Sequence, residues 1–355
     1  MNRALKLMTL VLLLGWTLLT SCGKDESKTA GTSGTSGAGS KSAAKVHIGV
    51  SIPTATHGWP AGVGWWAEET MKKYPNVTWE FQRAASATEQ AGQIEAMIEK
   101  GITGLVVLPF DSDTPLPAIK KADRQGIYIV SVDRGLREPV AAVYVAGDNA
   151  AFGRKSAEYM VQKLNGKGNV VILRGMPVEI DTERYEAAMA VFKKSPDIKV
   201  LDAQPGNWNR ADAHNVMQNF LTKYPKIDAV WASDDDMALG VEQALREASR
   251  QNEMWVLGGA GMKDIVKRVM DKDTLFPADM TYPPGMISAG IDIAVAKLRD
   301  GDIKAAADKI HAHLGSLGPQ LERIAGKEGQ QKITIDVFLV TPENAKTYYF
   351  PDSIY

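Results

Sequence analysis

Cysteine is almost missing: Cys22 is the only one in 355 residues, so no disulfide can form within the chain. Histidine is scarce too, with five in all. His311 and His313 form an HxH, yet no neighbouring acid or cysteine set completes a zinc site. The charge has no bias, 41 basic side chains facing 42 acidic ones for a formal net charge of −1. Nucleic acid as main partner usually demands a basic face, which this balance does not supply. There is no GxSxG elbow and no P-loop. Gly62-Val63-Gly64 followed by Ala67 only echoes a dinucleotide fingerprint, because it starts well past the first strand. No segment after the N-terminus is apolar for the roughly 20 residues that a membrane-spanning helix needs. These absences argue against an enzyme, a bound metal or cofactor, and a nucleic-acid partner.

What is present begins with a processing signal. Arg3 and Lys6 precede an apolar stretch from Leu7 to Leu19, broken only by Thr9, Gly15 and Thr17. It ends in Leu19-Thr20-Ser21-Cys22, which resembles the bacterial lipobox, where the cysteine thiol is acylated and becomes the first mature residue. Each buried methylene of an acyl chain contributes about 0.8 kcal/mol, so two or three chains on Cys22 make a stable anchor. A cleaved secretory signal with an incidental cysteine is the competing reading. Residues 23–45 are almost all Gly, Ser, Thr, Ala, Lys, Asp and Glu, a composition that cannot bury enough apolar surface to order itself. The sequence therefore predicts a signal over 1–21 and a flexible tether over 22–45. The remaining ~310 residues exceed one comfortable core and imply two lobes.

From Val46 onward short apolar strands alternate with amphipathic helical stretches. Strands are predicted at Val46–Ile52, Val77–Phe81, Gly104–Pro109, Ile127–Ser131, Asn169–Leu173, Lys199–Ala203 and Asp228–Ala232, with weaker candidates at Trp255–Leu257 and Pro277–Thr281. Helices are predicted between them, as at Thr88–Lys100, Ala150–Leu164 and Ala211–Lys223. This rhythm defines an α/β fold with parallel sheets and right-handed crossovers. In open parallel sheets ligands sit outside the carboxyl ends of the strands, so the residues just after each strand carry the functional information. Here they are acids, arginines and flat aromatics, with hardly any candidate nucleophile.

Several of these segments, in order and with compatible spacing, resemble the periplasmic sugar-binding proteins of the ribose-binding type. They are Leu108-Pro109-Phe110-Asp111-Ser112-Asp113, Ser131-Val132-Asp133-Arg134, and Ala146-Gly147-Asp148-Asn149 followed by Gly153. Ala203-Gln204-Pro205 through Trp208 and Arg210, Asn215 to Asn219, and Ala232-Ser233-Asp234-Asp235-Asp236 through Gly240 continue the match. The resemblance covers about 46 to 340 and implies two similar Rossmann-like lobes joined by a three-strand hinge, the type 1 architecture of periplasmic binding proteins. By that analogy the first lobe takes 46–147 and 283–332, the second 148–282 and 333–355. It also implies hinge closure on a small-molecule ligand, a sugar or sugar derivative, and delivery to an ABC permease.

A sugar offers hydroxyls around its edge and C–H groups on its faces. A carboxylate accepts hydroxyl protons, an arginine fork donates to oxygens, and an aromatic ring covers a face. Asp133-Arg134 fits the first two roles, and the family's acid–arginine pair matches it residue for residue; a surface ion pair at a strand end is the alternative. Trp208 falls at a family stacking position, or is a hydrophobic staple for the next helix. Trp59 falls at another family aromatic position, and His57 where the family often has Asn. Trp65 and Trp66 lie further into that helix, where core packing explains at least one of them. Asp234 stands where ribose binders often have Asn; an acidic surface loop is the competing account of Asp234 to Asp236. Thr182 occupies a family arginine position, for which Arg184 would compensate, and Tyr282 sits where an amide is common. Leu108 and Ala260 replace polar family residues. A site that pairs each hydroxyl discriminates strongly, so these departures disfavour ribose itself. A receptor that presents its loaded form to a chemoreceptor or sensor kinase is the second functional reading. A repressor of similar core would need a helix-turn-helix where this chain has a signal and tether.

Overall fold

The structure is a computed structural model that describes residues 46–55, 58–303, 319–323 and 330–355. The signal, Cys22, the tether, His57 and the HxH lie outside the described residues. The first sheet has seven strands in the order β11-β12-β5-β4-β3-β1-β2. These are β1 (His47–Pro53), β2 (Thr78–Ala84), β3 (Gly104–Val107), β4 (Tyr128–Val132), β5 (Val143–Gly147), β11 (Pro319–Arg323) and β12 (Gln331–Ile335). All its pairings are parallel except β11 with β12. The second sheet has the order β7-β6-β8-β9, formed by β6 (Gly168–Arg174), β7 (Ile198–Pro205), β8 (Ala229–Ala232) and β9 (Trp255–Leu257), all parallel. Both sheets thus start with the same winding, second strand outside the first and third on its other side. In such sheets the order reverses beside the first strand, and a crevice opens there at the carboxyl ends.

β3 is buried at all four positions, as expected of a strand covered on both faces. On the first sheet lie α1 (Gly58–Met71), α2 (Ala87–Glu99) and α3 (Leu116–Arg124). The second carries α4 (Asn149–Lys163), α5 (Glu179–Phe192), α6 (Arg210–Lys223), α7 (Asp235–Glu247) and α8 (Lys263–Met270). Helix α9 (Met286–Asp300) returns to the first sheet and packs on α1, β3, β4 and β5. A two-stranded pairing of β10 (Asp279–Met280) with β13 (Leu339–Val340) and a short helix α10 (Ala345–Tyr348) complete the described elements. The chain passes between the lobes three times: from β5 to α4, from β10 to α9, and from β12 to β13.

The strand reading from sequence missed β5, β11, β12 and β13, and Pro277–Thr281 is a strand only at its centre. Helices α8 and α9 also went unread; eleven of the fifteen residues of α9 are buried, so it lacks the polar face that would have marked it as a surface helix. Among the described residues no helix is long and apolar enough to cross a membrane.

Candidate functional site

A cavity of about 460 Å³ opens where the carboxyl ends of the two sheets meet. Asp133, directly after β4, and Arg134 line it from the first lobe, together with Trp59 at the start of α1. Arg184 from α5, Trp208 from the loop between β7 and α6, and Asp234 at the end of β8 line it from the second. Tyr282, on the crossing from β10 to α9, lies between them. All seven predicted site residues that the structure describes therefore share one cavity.

Local rules explain how they are held. Asp234 caps α7, its Oδ1 accepting from the Met237 amide at 3.1 Å, which fixes the carboxyl at the cavity wall. Asn209 caps α6 through the Ala211 and Asp212 amides and fixes the loop that carries Trp208. Helix α1 starts at Gly58, with φ +70°; a Cβ there would lie 2.3 Å from Asp236 Oδ2, so only glycine lets α1 and α7 approach so closely. Asp133, Asn207, Trp208 and Ala260 all line the cavity with positive φ, between 52° and 107°. Such conformations cost of order 1–3 kcal/mol each and gather where surrounding structure enforces them for function.

The site is largely pre-wired. Tyr282 Oη donates to Asp133 Oδ1 at 2.8 Å, and Trp59 Nε1 donates to the Tyr282 carbonyl at 2.8 Å. Arg184 donates from Nε to Asn149 Oδ1 at 2.9 Å and from a terminal nitrogen to the Ser233 carbonyl at 3.1 Å. Its guanidinium lies 4.2 Å from the Phe152 ring centre and 4.3 Å from that of Tyr282, a cation held between two π faces. Arg134 donates to the Phe110 carbonyl, and its Nε stands 4.0 Å from Asp133 Oδ2. Burial raises the Asp133 carboxyl above its ordinary range, with Arg134 pulling it back. Burial, reinforced by the charge of Asp236, lifts Asp234 to about 7.

Sequence reasoning missed two charged members. Arg210 and Asp236 line the cavity and pair with each other at 2.7 Å. Both stand two residues beyond a predicted site residue, Trp208 and Asp234, and that proximity was the available signal. With them the cavity has three acids, Asp133, Asp234 and Asp236, and three arginines, Arg134, Arg184 and Arg210. The departures from the family pattern divide. Ala260 and Tyr282 line the cavity, whereas Leu108 is core, 1% exposed, and is not part of its lining. Thr182 is exposed and bonds the Val178 carbonyl; Arg184 is the arginine that reaches the site. Trp65 and Trp66 meet edge to face at 5.0 Å away from the cavity, consistent with packing. Among the described residues no group of acids, histidines or cysteines is arranged to hold a metal.

Comparison with known proteins agrees with this architecture. The model of the periplasmic binding protein domain matches residues 48–302. The chain is 33% identical over 239 residues to a xylitol-binding protein of Mycolicibacterium smegmatis, covering 66% of this chain and 68% of the relative. It is 30% identical over 222 residues to a ribose import binding protein of Salmonella typhimurium, covering 61% and 73%. Among solved structures, an ABC transporter periplasmic solute-binding protein of Actinobacillus succinogenes with bound D-allose superposes with a TM-score of 0.71 at 26% identity, covering 86% of this chain and all of that one. The fructose-binding periplasmic domain of a hybrid two-component system superposes with a TM-score of 0.68 at 25% identity, covering 85% and 92%. The chain belongs to the periplasmic binding protein family. It is a substrate-binding protein of that family, with its two α/β lobes built on parallel sheets.

Proposed function

We propose that this chain is a lipid-anchored extracytoplasmic receptor that captures a neutral polyhydroxylated solute, a sugar or sugar alcohol, between its lobes and hands it to an ABC permease. The observation that carries the reading is the cavity itself, where three acids and three arginines stand beside two indole rings. A neutral ligand with many hydroxyls suits such a lining, because hydroxyls both donate and accept and bring no charge of their own. Trp59 and Trp208 supply flat faces for C–H groups from opposite lobes, Asp133 and Asp234 accept hydroxyl protons, and Arg134 and Arg184, one from each lobe, supply donors. His57 stands as a further ligand residue on the resemblance alone. In this reading the first lobe takes 46–147 and 283–332 and the second 148–282 and 333–355, with closure about the three crossings. The xylitol- and ribose-binding relatives favour the same ligand class.

The test is a thermal-shift screen against pentoses, hexoses and alditols, followed by calorimetry, since a ligand that binds only the folded state raises the midpoint by mass action. Stoichiometric binding of at least one member supports the reading; no shift with any of them removes it. The anchor is tested separately: Cys22→Ala should abolish labelling of the chain by radioactive palmitate, whereas globomycin should leave an acylated precursor that keeps its signal, and palmitate labelling that persists in Cys22→Ala would refute lipidation at Cys22. The likeness to the sensory fructose-binding domain supports one second reading, in which the loaded form docks on a sensor kinase. Loss of ligand uptake in a deletion strain, with the transcriptional response intact, separates transport from sensing.

A further inference from the structure

We infer that Tyr282 determines specificity, its phenol standing at Asp133 in the place of a ligand hydroxyl and closing the inner end of the cavity. The inference rests on the sugar or sugar-alcohol reading above.

A carboxylate facing a ligand can accept two hydroxyl protons, one on each oxygen. At Asp133 one of the two is already engaged within the protein. Oδ1 accepts from Tyr282 Oη at 2.8 Å, so Oδ2, 4.0 Å from Arg134 Nε, is the oxygen more open to a ligand donor. The Asp133 side chain is buried, and an unmatched oxygen there would be costly, which is the physical reason the phenol belongs in that position.

The ring has no room to step aside. A Cβ on Gly147 would lie 2.2 Å from Tyr282 Cε2, so β5 comes up against the ring edge with only a glycine between. The Arg184 guanidinium covers one face at 4.3 Å, and the Phe152 and Trp59 rings stand 6.1 Å and 6.0 Å away. Trp59 Nε1 holds the Tyr282 carbonyl from the first lobe. Tyr282 is 3% exposed and wedged by partners from both lobes. A ligand anchored on Asp133 that carries one more hydroxymethyl group in this direction would meet a fixed aromatic ring, not solvent. A smaller polar side chain at 282 would leave that volume, and a share of Asp133, to the ligand.

The experiment is calorimetry on the full chain and on two variants, Tyr282→Ala and Tyr282→Gln, with xylitol, D-arabitol and D-ribose as five-carbon probes and sorbitol, D-glucose and D-allose as six-carbon probes. The number read is the ratio of dissociation constants, best six-carbon over best five-carbon probe. Removing the wall is expected to lower that ratio at least about tenfold in a folded variant, the scale on which one methylene in an apolar pocket discriminates. Tyr282→Gln keeps a donor for Asp133, so it tests the space even where Tyr282→Ala fails to fold, as judged by a ligand-free thermal transition. A ratio unchanged in every folded variant overturns the inference and leaves the receptor reading intact. Failure of the parent protein to bind any of the six probes overturns both.

Discussion

Asp133 and its neighbours carry more than one duty each. Asp133 accepts the Tyr282 phenol, faces Arg134 and lines the cavity, so Asp133→Ala should weaken ligand binding at least about tenfold, the effect of losing a charge-assisted buried hydrogen bond. Calorimetry of the best ligand from the screen measures it, and an unchanged affinity would take Asp133 out of the site. Asp235, next to the cavity acid Asp234, has turned inward: it accepts the Gly259 and Met262 amides at 2.8 and 2.7 Å and lies beside Asp279, both fully buried. Burial raises all three carboxyls, Asp234 to about 7, and the charge of Asp279 lifts Asp235 further, while a hydrogen bond from Asp235 partly offsets the rise at Asp279. In the unfolded chain these groups titrate near pKa 3.9, so the folded state holds their protons longer. Their contribution to stability is therefore complete below about pH 4 and is lost as pH climbs to 7 and beyond. Glu242 and Asp273, held low by Arg268, act in the opposite sense only at the acid end. The ligand-free melting midpoint is expected to fall between about pH 5 and pH 8, and Asp279→Asn to flatten that slope. A wild-type midpoint that stays level or rises across the interval would contradict this.

At the scale of elements, the second lobe brings two helix pairs into backbone contact through glycine. A Cβ at Gly153 of α4 would lie 1.8 Å from the Arg184 carbonyl of α5, and one at Gly240 of α7 would lie 2.2 Å from the Arg210 carbonyl of α6. Each contacted residue is an arginine of the cavity, so these helix crossings set where the guanidinium groups stand. Gly153→Ala must push α5 outward and is expected to cost about 1–3 kcal/mol of stability and to weaken ligand binding as Arg184 moves. Urea unfolding and calorimetry read the two effects; a folded variant of parental affinity would break the link between crossing and site. Gly153 and Gly240 both stood within the segments that carried the family resemblance, although nothing in their sequence context disclosed a helix contact. The alternation of β1 to β9 with helices was legible because buried parallel strands are short apolar runs with a period unlike that of a helix. β5 was not: Val143-Tyr144-Val145-Ala146-Gly147 is a short run that follows β4 with no helix between, so the strand–helix rhythm did not point to it. The cavity residues were legible as residues after strands, down to Trp208. The roles of Tyr282 and Asp235 were not, because a hydrogen bond to Asp133 and an inward turn are made across 149 and 24 positions of sequence.

The whole molecule is two similarly wound sheets linked at three crossings, and no single segment owns the site. First-lobe residues Trp59, Asp133 and Arg134 face second-lobe residues Arg184, Trp208 and Asp234 across one cavity. Closure is thus expected to be coupled to ligand by differential contacts, and the ligand-free chain should be the more expanded form in solution scattering. A radius of gyration that does not shrink with saturating ligand would argue for a rigid receptor. The last described stretch reaches both sides as well: Phe350 meets Trp66 of α1 edge to face at 5.9 Å, and the Ser353 carbonyl accepts from Lys263 of α8. The two tryptophans of the cavity also give the molecule an optical reporter. Trp59 and Trp208 sit on different lobes, and of the seven tryptophans among the described residues they are the two that line the cavity. Emission colour follows the polarity around an indole, so a solute that displaces water from both rings would report its own capture as a blue shift, with no label attached.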